Sequence, residues 1–396
     1  MTVDVAERDR RGVWLRGEDA SLEGFRRQVE QVTEPGDWPG AVRVERNVPV
    51  YEGGHVRAAA ADAGARRALM AEWAALLAEG PGVLVIEGAY EDTAPIDRAT
   101  ALFEGMIAAQ RTSGEGGGDH FAKPGANDRI WNALEKHCLA DPEGFALYYG
   151  NPAIALAAEA WLGPGYQMTA QVNRVNPGGA AQTPHRDYHL GFMTAEQAEA
   201  FPVQVHRLSP ALTLQGAVAH GDMPVETGPT LLLPWSQGVV DGYVAFGRPE
   251  FQAWFREHHV QLPLAKGDLL FFSPALIHGA GTNRSADRFR MANLLQVSSA
   301  FGRAMEAIDR VGMARVLYPA LLRLRQGERI TPAEADNAIA CCAEGYAFPT
   351  NLDTDPPIGG LAPRSQATAM REALRAGTGA AAFAAELEAM EGRRKP

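Results

Sequence analysis

Between Tyr166 and Ser299 the chain carries a series of short apolar runs, and these constrain the fold more than any other feature. The runs are YQMTAQVNRV (166–175), ALTLQGAVA (211–219), TLLLP (230–234), DLLFF (268–272) and RMANLLQVS (290–298). Each has the length of a strand and is bounded by Gly, Pro, Asn or Asp turn signals. So many strands within roughly 130 residues can bury their apolar faces only by stacking or closing, which predicts a sandwich, jelly roll or barrel. The flanks read differently. Helical spacing marks residues 21–32, through Phe25, Val29 and Val32. It also marks 66–79, through Leu69, Trp73, Leu76 and Leu77, with Gly80 as the stop. Further helical patterns fall at 95–110, 129–139, 152–162, 301–325, 332–343, 366–376 and 379–391, and VLVI (83–86) reads as a buried strand. The expectation is a mainly β core with flanking helices. Residues 1–396 are read as a single catalytic domain: an N-terminal helical region with a lead-in strand (1–165), a β core (166–299) and a C-terminal helical extension (300–396).

Bulk properties narrow the function. The net charge is −11, which argues against a nucleic-acid role, because phosphate binding needs a basic face. Apolar residues make up 46% and charged residues 21%, ordinary values for a soluble globular protein. No apolar run approaches the roughly 18 residues of a membrane span. The opening MTVDVAERDRRG lacks the apolar segment of a secretory signal. Three cysteines, Cys138, Cys341 and Cys342, are too few for a disulfide framework and suit a reducing compartment. A cytoplasmic location is expected. The glycine-rich stretch 111–128 reads as an inert surface loop or a mobile lid, and the Pro/Gly-rich 348–363 interrupts the C-terminal helices.

The chemistry is concentrated in TPHRDYHLGF (183–192). On a strand, residues i and i+2 face the same way, so His185 and Asp187 can reach one ion. With 10 histidines in the chain an H-x-D pair alone says little, and a second one, His220/Asp222, is present. A metal site needs another ligand. His278 is the best candidate: in KGDLLFFSPALIHGAGTN (266–283) it follows an apolar strand and sits among small residues that leave room for a ligand. Two histidines and one carboxylate form the facial triad that leaves positions open on Fe(II) for oxygen chemistry. Downstream, Arg288 and Arg290 share strand parity with Ala292 and Leu294. An inward-facing arginine needs an anion, such as the distal carboxylate of a small dicarboxylic acid. By the same logic His189 is a pocket-edge or surface residue, His258 and His259 end a helix, and the cysteines are small buried residues.

Four motifs together resemble the phytanoyl-CoA dioxygenase family of Fe(II)/2-oxoglutarate-dependent oxygenases: PHRDYH (184–189), ETGPTLLLPWSQ (226–237), HGAGTNRS (278–285) and FRMA (289–292). They run in the family's order, with weaker similarity in GPGVLVIEG (80–88). The resemblance implies a double-stranded β-helix, or jelly roll. It implies Fe(II) on His185, Asp187 and His278, and 2-oxoglutarate held by Arg290, with Arg288 as the fallback. It also implies co-substrate contacts from Gln171 and Gln215, and dioxygen as the oxidant. His220 and Asp222 then align with an acidic turn away from the iron. The reaction implied is oxidation, first of all hydroxylation, of an unactivated C–H bond in a small organic molecule, with release of succinate and carbon dioxide. The family commonly shows Pro-Gly-Ser-His where this chain has Pro234-Trp235-Ser236-Gln237, so Trp235 is expected to alter the pocket wall. Arg174, the 111–128 loop and the 348–363 segment are further candidates to line or close the pocket. Two other readings stay open: a cupin-like metal oxygenase independent of 2-oxoglutarate, and a catalytically silent β-helix used for binding.

Overall fold

The computed structural model describes residues 11–113 and 125–395. Its strands are β1 (Arg43–Glu45), β2 (Val48–Glu52), β3 (Val83–Glu87), β4 (Asn127–Ile130), β5 (Gln167–Val175), β6 (Thr213–Ala219), β7 (Leu231–Leu232), β8 (Leu269–Phe272), β9 (His278–Gly279) and β10 (Arg290–Ser298). Eight of them form one sheet in the order β1-β2-β3-β8-β6-β10-β5-β4, and β7 pairs with β9 in a second, small sheet. All pairings are antiparallel except β2 with β3. The small sheet is extended by single bridges, Leu232 with Val260 and His185 with His278. This is the expected jelly-roll arrangement of two facing sheets; among the described residues they do not close into a barrel.

Strand alternation divides the large sheet into two environments. On β10, Met291, Leu295 and Val297 enter the main hydrophobic core, whereas Arg290, Ala292, Leu294 and Gln296 line a cavity on the other face. Met168, Ala170 and Val172 of β5 and Leu214 and Val218 of β6 join the core, while Gln171, Gln215 and Ala217 face the cavity. Helices from both ends of the chain cover the core face. Trp73, Phe103, Tyr148, Leu317 and Ile339 come from helices Ala63–Ala78, Ala94–Ser113, Pro142–Tyr149, Arg310–Gln326 and Pro332–Cys342 and pack into one cluster. The three cysteines are buried free thiols.

Several boundaries differ from the sequence reading, each for a local reason. β1 and β2 join through Arg46 and Asn47, both at positive φ (51° and 68°). That is the two-residue hairpin turn usually signalled by Asn-Gly or Asp-Gly, and Arg46-Asn47 matches neither. The pattern at 129–139 splits: β4 runs to Ile130, Asn132 turns at φ 50°, and the helix is Ala133–Ala140. The helix expected from 301 begins at Arg310, because Asp309 accepts a hydrogen bond from Gly312 N at 2.9 Å and caps it. Val32 lies beyond the first long helix (Leu22–Val29) and is exposed. Four helices interrupt the β region, Ala195–Glu199, Val203–Ala211, Gly242–Ala245 and Pro249–His258, and only the last was expected from the sequence. Most of the glycine-rich 111–128 stretch lies outside the described residues. No helix among the described residues is long and apolar enough to cross a membrane.

His137 sits in the core among Phe103, Phe145, Tyr148 and Tyr149, with neither ring nitrogen hydrogen-bonded among the described residues. Burial pushes its pKa down to about 4. The unfolded chain therefore binds a proton that the folded chain does not between about pH 6.5 and 4. Stability from this group is complete above that window and is lost as the pH falls through it. Replacing His137 by Leu is expected to flatten the stability–pH slope by roughly 1 kcal/mol per pH unit between about pH 6 and 4.5, read by urea denaturation.

Candidate metal centre

His185, Asp187 and His278 meet at the mouth of the small sheet, their potential ligand atoms all within 4.8 Å of one another. The segment around His185 is not the regular strand expected from the sequence. It makes one bridge, in which His185 N donates to His278 O at 2.9 Å and His278 N donates to His185 O at 3.0 Å. Asp187 N then donates to Pro274 O at 3.0 Å. These bonds hold the chain extended for long enough to turn both ligand side chains the same way. Tyr188 and His189, at φ 64° and 39°, end the extended run.

The two rings are set alike. His185 Nδ1 lies 2.8 Å from Thr183 O, and His278 Nδ1 lies 2.8 Å from Leu276 O. A carbonyl can only accept, so each Nδ1 carries the proton and each Nε2 of a neutral ring presents a lone pair. Those Nε2 atoms face the Asp187 carboxylate, at 3.6 Å from His185 to Oδ1 and 3.4 Å from His278 to Oδ2. Two lone pairs and a carboxylate turned toward one point repel one another unless a cation lies between them. The donor set therefore fits a divalent metal of the borderline kind.

A cavity of about 500 Å³ opens beside the triad. Gln171, Gln215 and Arg290 line it; Arg288 does not. Both arginines have the right parity, but β10 begins only at Arg290. Arg288, the fallback, lies before the strand, exposed, 3.9 Å from Glu226. Arg290 is 7% exposed and donates to the carbonyl of Gly228, with no carboxylate partner among the described residues. Burial and the neighbouring Arg129 push its pKa down to about 10, so it stays protonated at neutral pH. Gly228 is required there: it sits at φ 75°, and an added Cβ would lie 2.5 Å from Gly281 O. Gln215 Nε2 donates to Asp187 Oδ2, and Gln171 Nε2 lies 3.6 Å from Met305 Sδ.

Other candidates fall elsewhere. Arg174 does not line the cavity; its guanidinium lies 4.0 Å from the centre of the Phe289 ring. Trp235 is also absent from the wall. It adopts φ 71°, the left-handed conformation that explains the family's glycine, and its indole donates to Thr33 Oγ1 at 3.1 Å. None of residues 348–363 lines the cavity. His189 Nδ1 meets Ser209 Oγ at 3.0 Å, and His258 and His259 do end a helix. His220 is buried behind the sheet between Thr100 Oγ1 and Tyr148 OH, each at 2.8 Å. Burial pushes its pKa down to about 3. Asp222 accepts from Lys266 N at 3.0 Å, so the second H-x-D stands apart from the metal cluster.

Two residues went unnoticed in the sequence. Arg129, on the short edge strand β4, is 7% exposed and lines the cavity; four residues of NDRI carry too little alternation to reveal it. Arg186 is 1% exposed and faces away from its two neighbours, donating to Val239 O at 3.1 Å and to Ser236 O. Its position between two candidate ligands of equal parity was the signal that it must point the other way.

Residues 62–292, more than half of the chain, match the sequence profile described as phytanoyl-CoA dioxygenase (PhyH), and the chain belongs to that family. It is an Fe(II)/2-oxoglutarate-dependent oxygenase, with Fe(II), 2-oxoglutarate and dioxygen as its cofactors. No curated protein matches the sequence significantly. Among solved structures, the non-heme α-ketoglutarate-dependent epimerase SnoN from nogalamycin biosynthesis is 21% identical over 59% of this chain and 84% of its own, with a TM-score of 0.41. The α-ketoglutarate-dependent carbocyclase SnoK from the same biosynthesis is 20% identical over 57% and 83%, with a TM-score of 0.40. AviO1 from Streptomyces viridochromogenes Tue57 is 19% identical over 57% and 93%, with a TM-score of 0.42.

Arg186 leaves no room at Gly242, where an added Cβ would lie 2.0 Å from the guanidinium carbon. Gly242→Ala is expected to lower stability by about 2–3 kcal/mol in chemical denaturation, since either the arginine or the 239–242 backbone must move.

Proposed function

We propose that His185, Asp187 and His278 hold the Fe(II), that Arg290 pairs with the distal carboxylate of 2-oxoglutarate, and that the enzyme hydroxylates an unactivated C–H bond of a small organic molecule. Residues 1–396 are taken as one catalytic domain. The observation that carries the metal assignment is the matched pair of imidazoles, each protonated at Nδ1 by its bond to a carbonyl and each aiming Nε2 at the same carboxylate. When bound, Fe(II) with 2-oxoglutarate and dioxygen supplies the oxidising chemistry and yields succinate and carbon dioxide.

The chain's part is positioning and shielding. Arg290 is a buried guanidinium whose described partner is a neutral carbonyl, so a carboxylate entering the cavity relieves an uncompensated charge. Its planar fork suits a carboxylate better than a lysine ammonium would. Gln171 remains the amide assigned to the co-substrate. Phe192, Phe246, Leu264 and Met223 give the cavity apolar walls, and Asn173, Thr183 and Gln296 give it polar ones. That mixture suits a small organic molecule of mixed polarity and limits water beside the metal. Asp187 favours hydroxylation over halogenation, because a carboxylate takes the ligand position that a halide would need.

Anaerobic titration of the protein with Fe(II) and 2-oxoglutarate is expected to give a metal-to-ligand charge-transfer band, absent in Asp187→Ala. Absence of the band in the wild type would count against the assigned ligands. Arg290→Met is expected to raise the KM for 2-oxoglutarate by about 100-fold or more, as truncating one side of a buried charge pair does, while metal affinity holds. A succinate-release screen over small organic molecules identifies substrates. Their products are expected to gain one oxygen atom; an unchanged mass, or the loss of two hydrogens, would overturn hydroxylation.

A further inference from the structure

We infer that Gln215 is a positioning residue for Asp187, fixing the rotation of its carboxylate, and not the 2-oxoglutarate contact that family likeness implies. The inference rests on the metal-site reading above. The hydrogen bond between Gln215 Nε2 and Asp187 Oδ2 sets the orientation of the amide. An ionised carboxylate only accepts, so the NH2 group must face Asp187 and the carbonyl must face away. That carbonyl oxygen, Oε1, is buried and has no hydrogen-bond partner among the described residues. It is an acceptor, and ionised 2-oxoglutarate offers only acceptors: two carboxylates and a keto oxygen. The end of Gln215 left free therefore repels the co-substrate.

The backbone beneath the side chain is suited to this task. Gln215 lies in the middle of β6, opposite Phe272 of β8 on one side and Gln296 of β10 on the other. A residue pinned between two strands holds its amide more precisely than a loop residue could. Asp187 needs such a partner, because its own backbone has a single bond to Pro274 and the chain turns immediately after it. Outer partners of this kind orient a ligand, and their loss typically costs about 10- to 100-fold in metal affinity.

The test uses the full-length protein under anaerobic conditions, with Mn(II) as the probe ion. Mn(II) affinity is read from the EPR signal of the free ion, and 2-oxoglutarate affinity of the Mn(II)-saturated protein by calorimetry. Gln215→Met keeps the length of the side chain and removes the donor; Gln215→Leu removes it with a different shape. Circular dichroism confirms that each metal-free variant folds. Both variants are expected to raise the Mn(II) Kd about tenfold or more and to move the 2-oxoglutarate Kd by less than about threefold. Gln171→Met is expected to show the opposite split. An unchanged Mn(II) Kd in the Gln215 variants overturns the inference, and a rise confined to the 2-oxoglutarate Kd restores the co-substrate role. A wild type that takes up no Mn(II) overturns the metal-site reading itself, an outcome distinct from either.

Discussion

Two backbone hydrogen bonds exchanged between His185 and His278 are the constraint from which the candidate centre is built. The two residues are far apart in the chain and belong to segments with little regular structure. The bridge sets them opposite each other and brings the ring centres to 4.6 Å. From there each ring is locked by its own short-range bond to a carbonyl two residues earlier. Metal affinity in such a site reflects how little the ligands must rearrange. Here the rearrangement has been prevented by main-chain bonds, which do not depend on the identity of the neighbouring side chains.

Charge is arranged around this corner with the same economy. Asp187 is the carboxylate among the three candidate ligands, and Gln215 Nε2 donates to its Oδ2. Arg290 and Arg129 line the same cavity, close enough for one to depress the pKa of the other. Arg290, whose described partner is a neutral carbonyl, gives this cavity an attraction for anionic ligands.

How much of this was legible in the sequence follows from what each residue's chemistry allows. The five short apolar runs showed the strands because alternation and turn residues survive without context. The meeting of His185, Asp187 and His278 was legible because few residue types ligate iron and their order along the chain limits the choices. Arg288 and Arg290 could not be separated by parity, which they share; that β10 starts at Arg290 and puts it on the cavity is not written in the spacing. The role of Gln215 depends on which end of an amide faces a neighbour, and no spacing rule contains that. Arg129 was hidden by the shortness of β4. Trp235 misled because its ring suggested a wall, whereas its backbone conformation is what the turn required.

The large sheet is a partition one strand thick. On one side lies the helix-covered main core; on the other lie a second buried apolar cluster, the cavity and the small sheet. Side chains on neighbouring positions of β5, β6 and β10 serve opposite masters. The loops rimming the cavity are not free to drift, since Arg186, Tyr188, Leu190, Leu276 and Ile277 all reach the interior from them. Retailoring such a scaffold falls on the exposed positions of those loops, such as Phe192, which lines the cavity.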